Sequence, residues 1–176
     1  MKTPVLTTLT ILAAALSVQA QSWQYGLQGS LNLPLTSLKD YVDSKPGPGF
    51  GVHGTYDLGE GHMLRPRLDF TAYPEAAFGS VKRKASTLGL GGDYLFFIAG
   101  KPEGLYLTLG VAGSRWSFST TGGATTLPSS TTKIGLTGGV GCQWSATLGT
   151  ELRFVHSRIQ SDFKGDALQL GVTIRF

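Results

Sequence analysis

From residue 23 to residue 176 the chain alternates between apolar and polar residues with a period of two, interrupted by polar or Gly/Pro-rich stretches. Such alternation marks strands with one apolar and one polar face. The clearest case ends the chain. In residues 167–176, ALQLGVTIRF, Leu168, Leu170, Val172, Ile174 and Phe176 alternate with Gln169, Gly171, Thr173 and Arg175. The pattern predicts eight strands, at residues 23–33, 50–58, 64–73, 87–97, 105–118, 134–144, 148–156 and 167–176. Pro66 lacks an N–H, which predicts a local defect or bulge in the third strand. In the fifth strand Trp116 and Phe118 sit on the inward parity unless a bulge turns them, and the pattern leaves their orientation open.

The connections alternate in length. Strands 1–2, 3–4, 5–6 and 7–8 are separated by polar stretches of roughly nine to fifteen residues, and the others by short turns. Residues 36–44 predict a short helical turn capped by Thr36 or Ser37. Residues 119–132, rich in Ser, Thr and Gly, predict a mobile loop. Strands of this length can cross a bilayer, and long outer loops with short periplasmic turns suit a barrel in an outer membrane. Aromatic residues near the strand ends, such as Trp23, Tyr94 and Trp144, suit the depth of the membrane interface.

Charge separates a lipid-facing barrel from a water-soluble one. The polar parity holds Arg65, Arg67, Asp69, Asp93, Glu151, Arg153 and Arg175, while the apolar parity holds almost no charge. A soluble barrel would place its apolar parity inside. Here the charged set is expected to form an interior network, with Gly89, Gly91, Gly139 and Gly141 making room for it. Charged residues are 15% of the 176, below the ~25% usual for soluble domains. The net charge of +4 is spread thinly, without the basic stripe that would suggest nucleic acid. Cys142 is the single cysteine, and neither metal-ligand spacing nor a cofactor motif is present.

The first residues read as a processing segment. Lys2 precedes an apolar run at residues 5–16, and Val18-Gln19-Ala20 offers small residues at the positions a signal peptidase reads. This predicts a signal peptide over residues 1–20 and a barrel domain over residues 21–176. No apolar run is long enough to span a bilayer as a helix, so a membrane location requires a closed sheet.

Together the leader, the eight alternating strands and the terminal strand ending in phenylalanine resemble the small eight-stranded outer-membrane barrels of the OmpA and OmpX kind. The resemblance covers nearly the whole mature chain. It implies an all-β, antiparallel, up-and-down transmembrane barrel, monomeric, in the outer membrane of a Gram-negative-type bacterium. It also implies that Val172, Ile174 and Phe176 form the signal read by the outer-membrane assembly machinery. The peptidoglycan-binding domain of full-length OmpA has no counterpart in this sequence.

The expected role is structural or surface-interacting, without catalysis. Outer-membrane lipids and lipopolysaccharide are the expected partners, with the Lys82–Arg83–Lys84 cluster available to phosphates. Two alternatives stand beside it. A narrow channel or a carrier of small apolar ligands would need an open interior. A lipid A-modifying enzyme would use His156: residues 153–156 resemble the Arg-x-x-His of the lipid A deacylase barrels. In those barrels Arg-x-x-His-x-Ser places the nucleophile two residues after the histidine, where this chain has Arg158. Ser157 is one residue early and points to the opposite face of a regular strand. No carboxylate partner for His156 is evident in the sequence.

Overall fold

The computed structural model describes residues 23–122 and 125–176. The predicted leader and its cleavage position lie outside the described residues. Eight antiparallel strands form a closed barrel in chain order: β1 (Trp23–Pro34), β2 (Gly47–Gly59), β3 (His62–Phe78), β4 (Val81–Phe97), β5 (Gly104–Gly122), β6 (Thr125–Gln143), β7 (Leu148–Ser157) and β8 (Ala167–Arg175). One short helix, α1 (Thr36–Tyr41), lies between β1 and β2. The ring closes where β1 meets β8, from Gly26 opposite Arg175 to Pro34 opposite Ala167. Phe176 prolongs the seam, its backbone N–H donating to the Tyr25 carbonyl at 2.9 Å. Closure leaves no strand edge for lipid to face, which a spanning sheet requires.

The side-chain pattern divides as the alternation predicts. Leu27, Leu68, Leu90, Leu109, Leu136, Phe154 and Val172 point outward and are exposed, whereas Gln28, Arg65, Asp93, Thr137, Glu151 and Arg153 point inward and are buried. The outward residues from Leu88 on β4 to Ile98, the residue just past its end, are uncharged. They cover about 33 Å along the strand, or roughly 25 Å across the membrane at the tilt of such barrels. Trp144, at the edge of that band, donates its indole N–H to Thr150 Oγ1 at 3.0 Å.

The strands β3 to β6 run furthest beyond what the apolar alternation suggests. β3 runs on to Phe78 and β4 starts at Val81, with Gly79 at a φ of 63° in the turn between them. β5 and β6 stay paired as far as Gly122 opposite Thr125, so most of the predicted mobile loop at residues 119–132 is strand. At the far end of β6, residues 125–130 are exposed on both faces, and apolar alternation no longer marks a strand. β-branched threonines and the backbone ladder hold it there instead, as in the contact of Thr121 Oγ1 with Thr126 Oγ1 at 3.1 Å. These ends make a four-stranded sheet above the outer rim.

Three local predictions need correction or completion. The helix begins after Leu35, which makes no side-chain cap, and Thr36 lies inside α1 with a φ of 48°. Its hydroxyl is engaged with Asp166 rather than with the helix N-terminus. At Pro66 the β2–β3 ladder lapses between His53–Arg67 and Tyr56–Leu64 but keeps its register; the irregularity in this pair lies at Asp57 and Gly59. The β4–β5 register runs unbroken through Trp116 and Phe118, so both keep the inward parity.

Candidate functional site

Three places in the barrel gather polar chemistry: a charged layer in its middle, a histidine–carboxylate pair at the outer rim, and the outward face of the upper sheet.

The charged layer is built on Asp93. Its Oδ2 lies 2.8 Å from Arg65 Nη2, 2.9 Å from Arg67 Nε and 3.5 Å from Arg153 Nη1. Glu151 is the second anchor, 2.7 Å from Arg65 Nη1 and 2.9 Å from Arg153 Nε. Neutral groups complete it. Tyr106 donates to Glu151 at 2.9 Å, Thr137 to Asp93 at 3.1 Å, and Arg153 to Gln28 Oε1 at 2.9 Å. Arg67 also contacts Asp69. Burial of charge is costly unless each ion is paired and hydrogen-bonded, and here two carboxylates share three guanidinium groups. Of the seven residues expected in the interior network, Arg65, Arg67, Asp69, Asp93, Glu151 and Arg153 meet in this way. Arg175 is buried inside the barrel but makes no ion pair among the described residues; its guanidinium lies 5.9 Å from the Phe97 ring centre.

Glycine on the intervening strand lets these contacts form. Tyr106 on β5 and Glu151 on β7 both lie opposite Gly141 on β6. A Cβ at Gly141 would fall 2.7 Å from Tyr106 Cε1, so any other residue would lift the ring from the wall.

Apolar clusters lie on either side of the charges. Toward the periplasm, Met63, Leu95, Phe97 and Tyr106 pack together. Toward the outside, Leu38 and Val42 from the α1 region pack on Tyr73, Ala85, Trp116 and Ile159. Tyr41, Phe118 and Phe163 complete this outer plug. Between it and the charged layer lies a small cavity of ≈ 50 Å³, lined by polar residues such as Asn32, Arg67 and Gln169 and by apolar ones such as Tyr73, Trp116 and Val155. That is room for a few waters.

The outer-rim pair corrects one reading of the sequence. His156 Nδ1 lies 2.7 Å from Asp166 Oδ1, so a carboxylate partner exists. Thr36 Oγ1 donates to the other oxygen of Asp166 at 3.1 Å. The β7–β8 register places Val155 opposite Ala167, and one further step sets His156 beside Asp166. Extending that register through the loop was the signal available in the sequence. The nucleophile remains missing: Ser157 is buried on the inward face while His156 is on the outward one, and the exposed Arg158 occupies the next outward position. Among the described residues no group of three or more His, Cys, Asp or Glu side chains is arranged to hold a metal ion.

The outward face of the upper sheet carries Lys84, Ser86, Arg115, Ser117 and Ser130, all exposed or half-buried. The assembly-signal candidates Val172, Ile174 and Phe176 lie on the lipid-facing side of the seam strand, each at least half exposed.

With this geometry in hand, comparison with known proteins decides the family. The model of the "Outer membrane protein beta-barrel domain" matches residues 6–176. The chain belongs to that outer-membrane β-barrel family. Solved structures share its fold. Ail, the attachment invasion locus protein of Yersinia pestis, is 14% identical with a TM-score of 0.61, over 88% of this chain and 97% of Ail. The N-terminal β-barrel domain of Pseudomonas aeruginosa OprF is 12% identical with a TM-score of 0.63, over 87% and 97%. Neisserial surface protein A is 18% identical with a TM-score of 0.62, over 88% and 97%. No curated protein matches the sequence.

Proposed function

We propose that this outer-membrane barrel is a sealed, non-catalytic scaffold whose role is structural and surface-interacting. The observation that carries this reading is the contrast between a filled interior and a free outer sheet. Inside, Arg65, Arg67, Arg153, Asp93 and Glu151 engage one another between two apolar clusters, which argues against a channel. The cavity above them holds only about 50 Å³, too little for an apolar ligand, which argues against a carrier. Outside, β3 to β6 rise above the rim and present cations and hydroxyls to solvent.

The enzymatic alternative keeps the His156–Asp166 pair but lacks a nucleophile on the same face. Purified protein incubated with lipopolysaccharide is expected to release no acyl chains. Release that disappears in His156→Ala would overturn the non-catalytic reading.

The terminal residues Val172, Ile174 and Phe176 serve assembly, presented as an outward apolar row at the seam. Deleting Phe176 is expected to lower the folded protein reaching the outer membrane several-fold in vivo while leaving the urea midpoint of refolded protein nearly unchanged. Normal outer-membrane levels of the truncated chain would contradict the assembly role.

A further inference from the structure

We propose that the outward face of the β4–β6 sheet docks the phosphorylated headgroup of a glycolipid in the surrounding outer leaflet, held between Lys84 and Arg115. This rests on the surface-interaction reading above and names its partner.

The height of the site is fixed by register. Phe70 pairs with Leu88, and Leu88 with Arg115, so Arg115 continues the last outward apolar row across the sheet. Ile134, which pairs with Gly113 just below that row, is 81% exposed and marks lipid contact on the neighbouring strand. The next outward row is Ser86, Ser117 and Ser130, three cross-strand neighbours. The row above brings Lys84 opposite Ser119. Lys84 and Arg115 are thus one strand apart and four residues along, about 14 Å between Cα atoms. The serines are short and leave a shallow trough of ≈ 530 Å³ bordered by Lys84, Ser119 and Pro128, with Arg115 two residues below Ser117 at its lower end. This is headgroup depth, where Arg and Lys stems lie along apolar surface and lift their charge to the interface.

Charge selects the ligand. Lys84 and Arg115 are exposed and make no ion pair among the described residues, whereas neighbouring Lys82 is engaged by Glu75 at 3.1 Å. Phosphate accepts charge-assisted hydrogen bonds from both cations, and the serine hydroxyls suit phosphate or sugar oxygens. The ends of the barrel differ in sign. The segments above the outer apolar boundary hold nine Lys or Arg against five Asp or Glu, while the three periplasmic turn regions hold Lys101 against Asp57, Glu60 and Glu103. Excess positive charge therefore sits beside the outer leaflet, and an anionic headgroup there meets complementary charge.

The test uses the full mature protein, folded in detergent and titrated with diphosphoryl lipid A, with adducts counted by native mass spectrometry. Wild type is expected to bind in a salt-sensitive way. K84Q/R115Q should weaken binding at least about tenfold, as expected for the loss of two charge-assisted contacts. S117E, which keeps both cations but puts a carboxylate in the trough, should weaken it as well. K101Q at the periplasmic end should bind like wild type. A heat-dependent gel shift verifies that each variant is folded. Equal lipid A binding by wild type, K84Q/R115Q and S117E would overturn the proposal. So would binding of a sulfated polysaccharide at these residues without any lipid A adduct, because the patch would then serve a soluble polyanion. Either failure leaves the sealed, non-catalytic reading to stand or fall on conductance and acyl release.

Discussion

The middle of the barrel and its upper sheet both carry cations, yet they use them in opposite ways. In the middle, Arg65 and Arg153 are almost wholly buried and held by Asp93 and Glu151. On the upper sheet, Lys84 and Arg115 are exposed and have no carboxylate partner among the described residues. The difference follows from solvent. A guanidinium enclosed by a closed sheet is costly unless paired, as Arg65 and Arg153 are (Arg175, beside the Phe97 ring, is the exception), whereas a cation at the interface can be left free for a ligand. On the proposed reading the interior serves stability, and the outer surface serves function.

The largest test of this division is at Asp93. Asp93→Ala removes the carboxylate that Arg65, Arg67 and Arg153 share and leaves buried guanidinium groups uncompensated. It is expected to cost about 3–5 kcal/mol. The measurement is the urea midpoint of the refolded barrel, together with loss of the heat-dependent gel shift. A midpoint unchanged from wild type would show that the layer contributes little to stability. By contrast, K84Q/R115Q is expected to leave that midpoint near its wild-type value.

Gly141→Val should act next in size. The added side chain must displace the Tyr106 ring and break its hydrogen bond to Glu151, an overpacking effect of about 1–3 kcal/mol. Tyr106→Phe removes the same hydrogen bond without the clash. If the two substitutions lower the midpoint equally, the close approach over Gly141 is not the source of the loss.

The smallest effect is expected at His156→Ala. The pair with Asp166 is partly exposed and should contribute about 1 kcal/mol or less to global stability. It does, however, tie the β7–β8 loop, residues 158–166, to the wall and to Thr36. Limited proteolysis of that loop should speed up several-fold in the variant while the barrel midpoint stays put. An unchanged cleavage rate would show that the pair does not hold the loop.

The sequence carried the architecture because lipid and a polar interior impose opposite demands on neighbouring residues. Leu168 against Gln169, and Leu152 against Arg153, expose that demand at every step. It stops at the outer rim, where Ser117 and Thr126 face water whichever way they point, and the long β5–β6 hairpin was legible only through backbone pairing. The partnerships of the charged layer lay between strands far apart in sequence. Parity brought Asp93 and Arg153 to the same interior, but barrel stagger decides that they meet near Glu151 while Arg175 sits by Phe97. Asp166 was hidden for a different reason: it lies in a loop with no alternation of its own, and only the extended β7–β8 register brings it to His156.

Planar-bilayer conductance tests the central claim most directly, with wild type compared with a variant carrying Leu38→Ala and Trp116→Ala in the outer plug. Both substitutions lie above the charged layer and leave its ion pairs intact. Wild type and variant are both predicted to give a flat trace, because Arg65, Arg153, Asp93 and Glu151 still close the barrel beneath the opened plug. Stable, voltage-independent conductance steps in the wild-type protein would contradict a sealed interior.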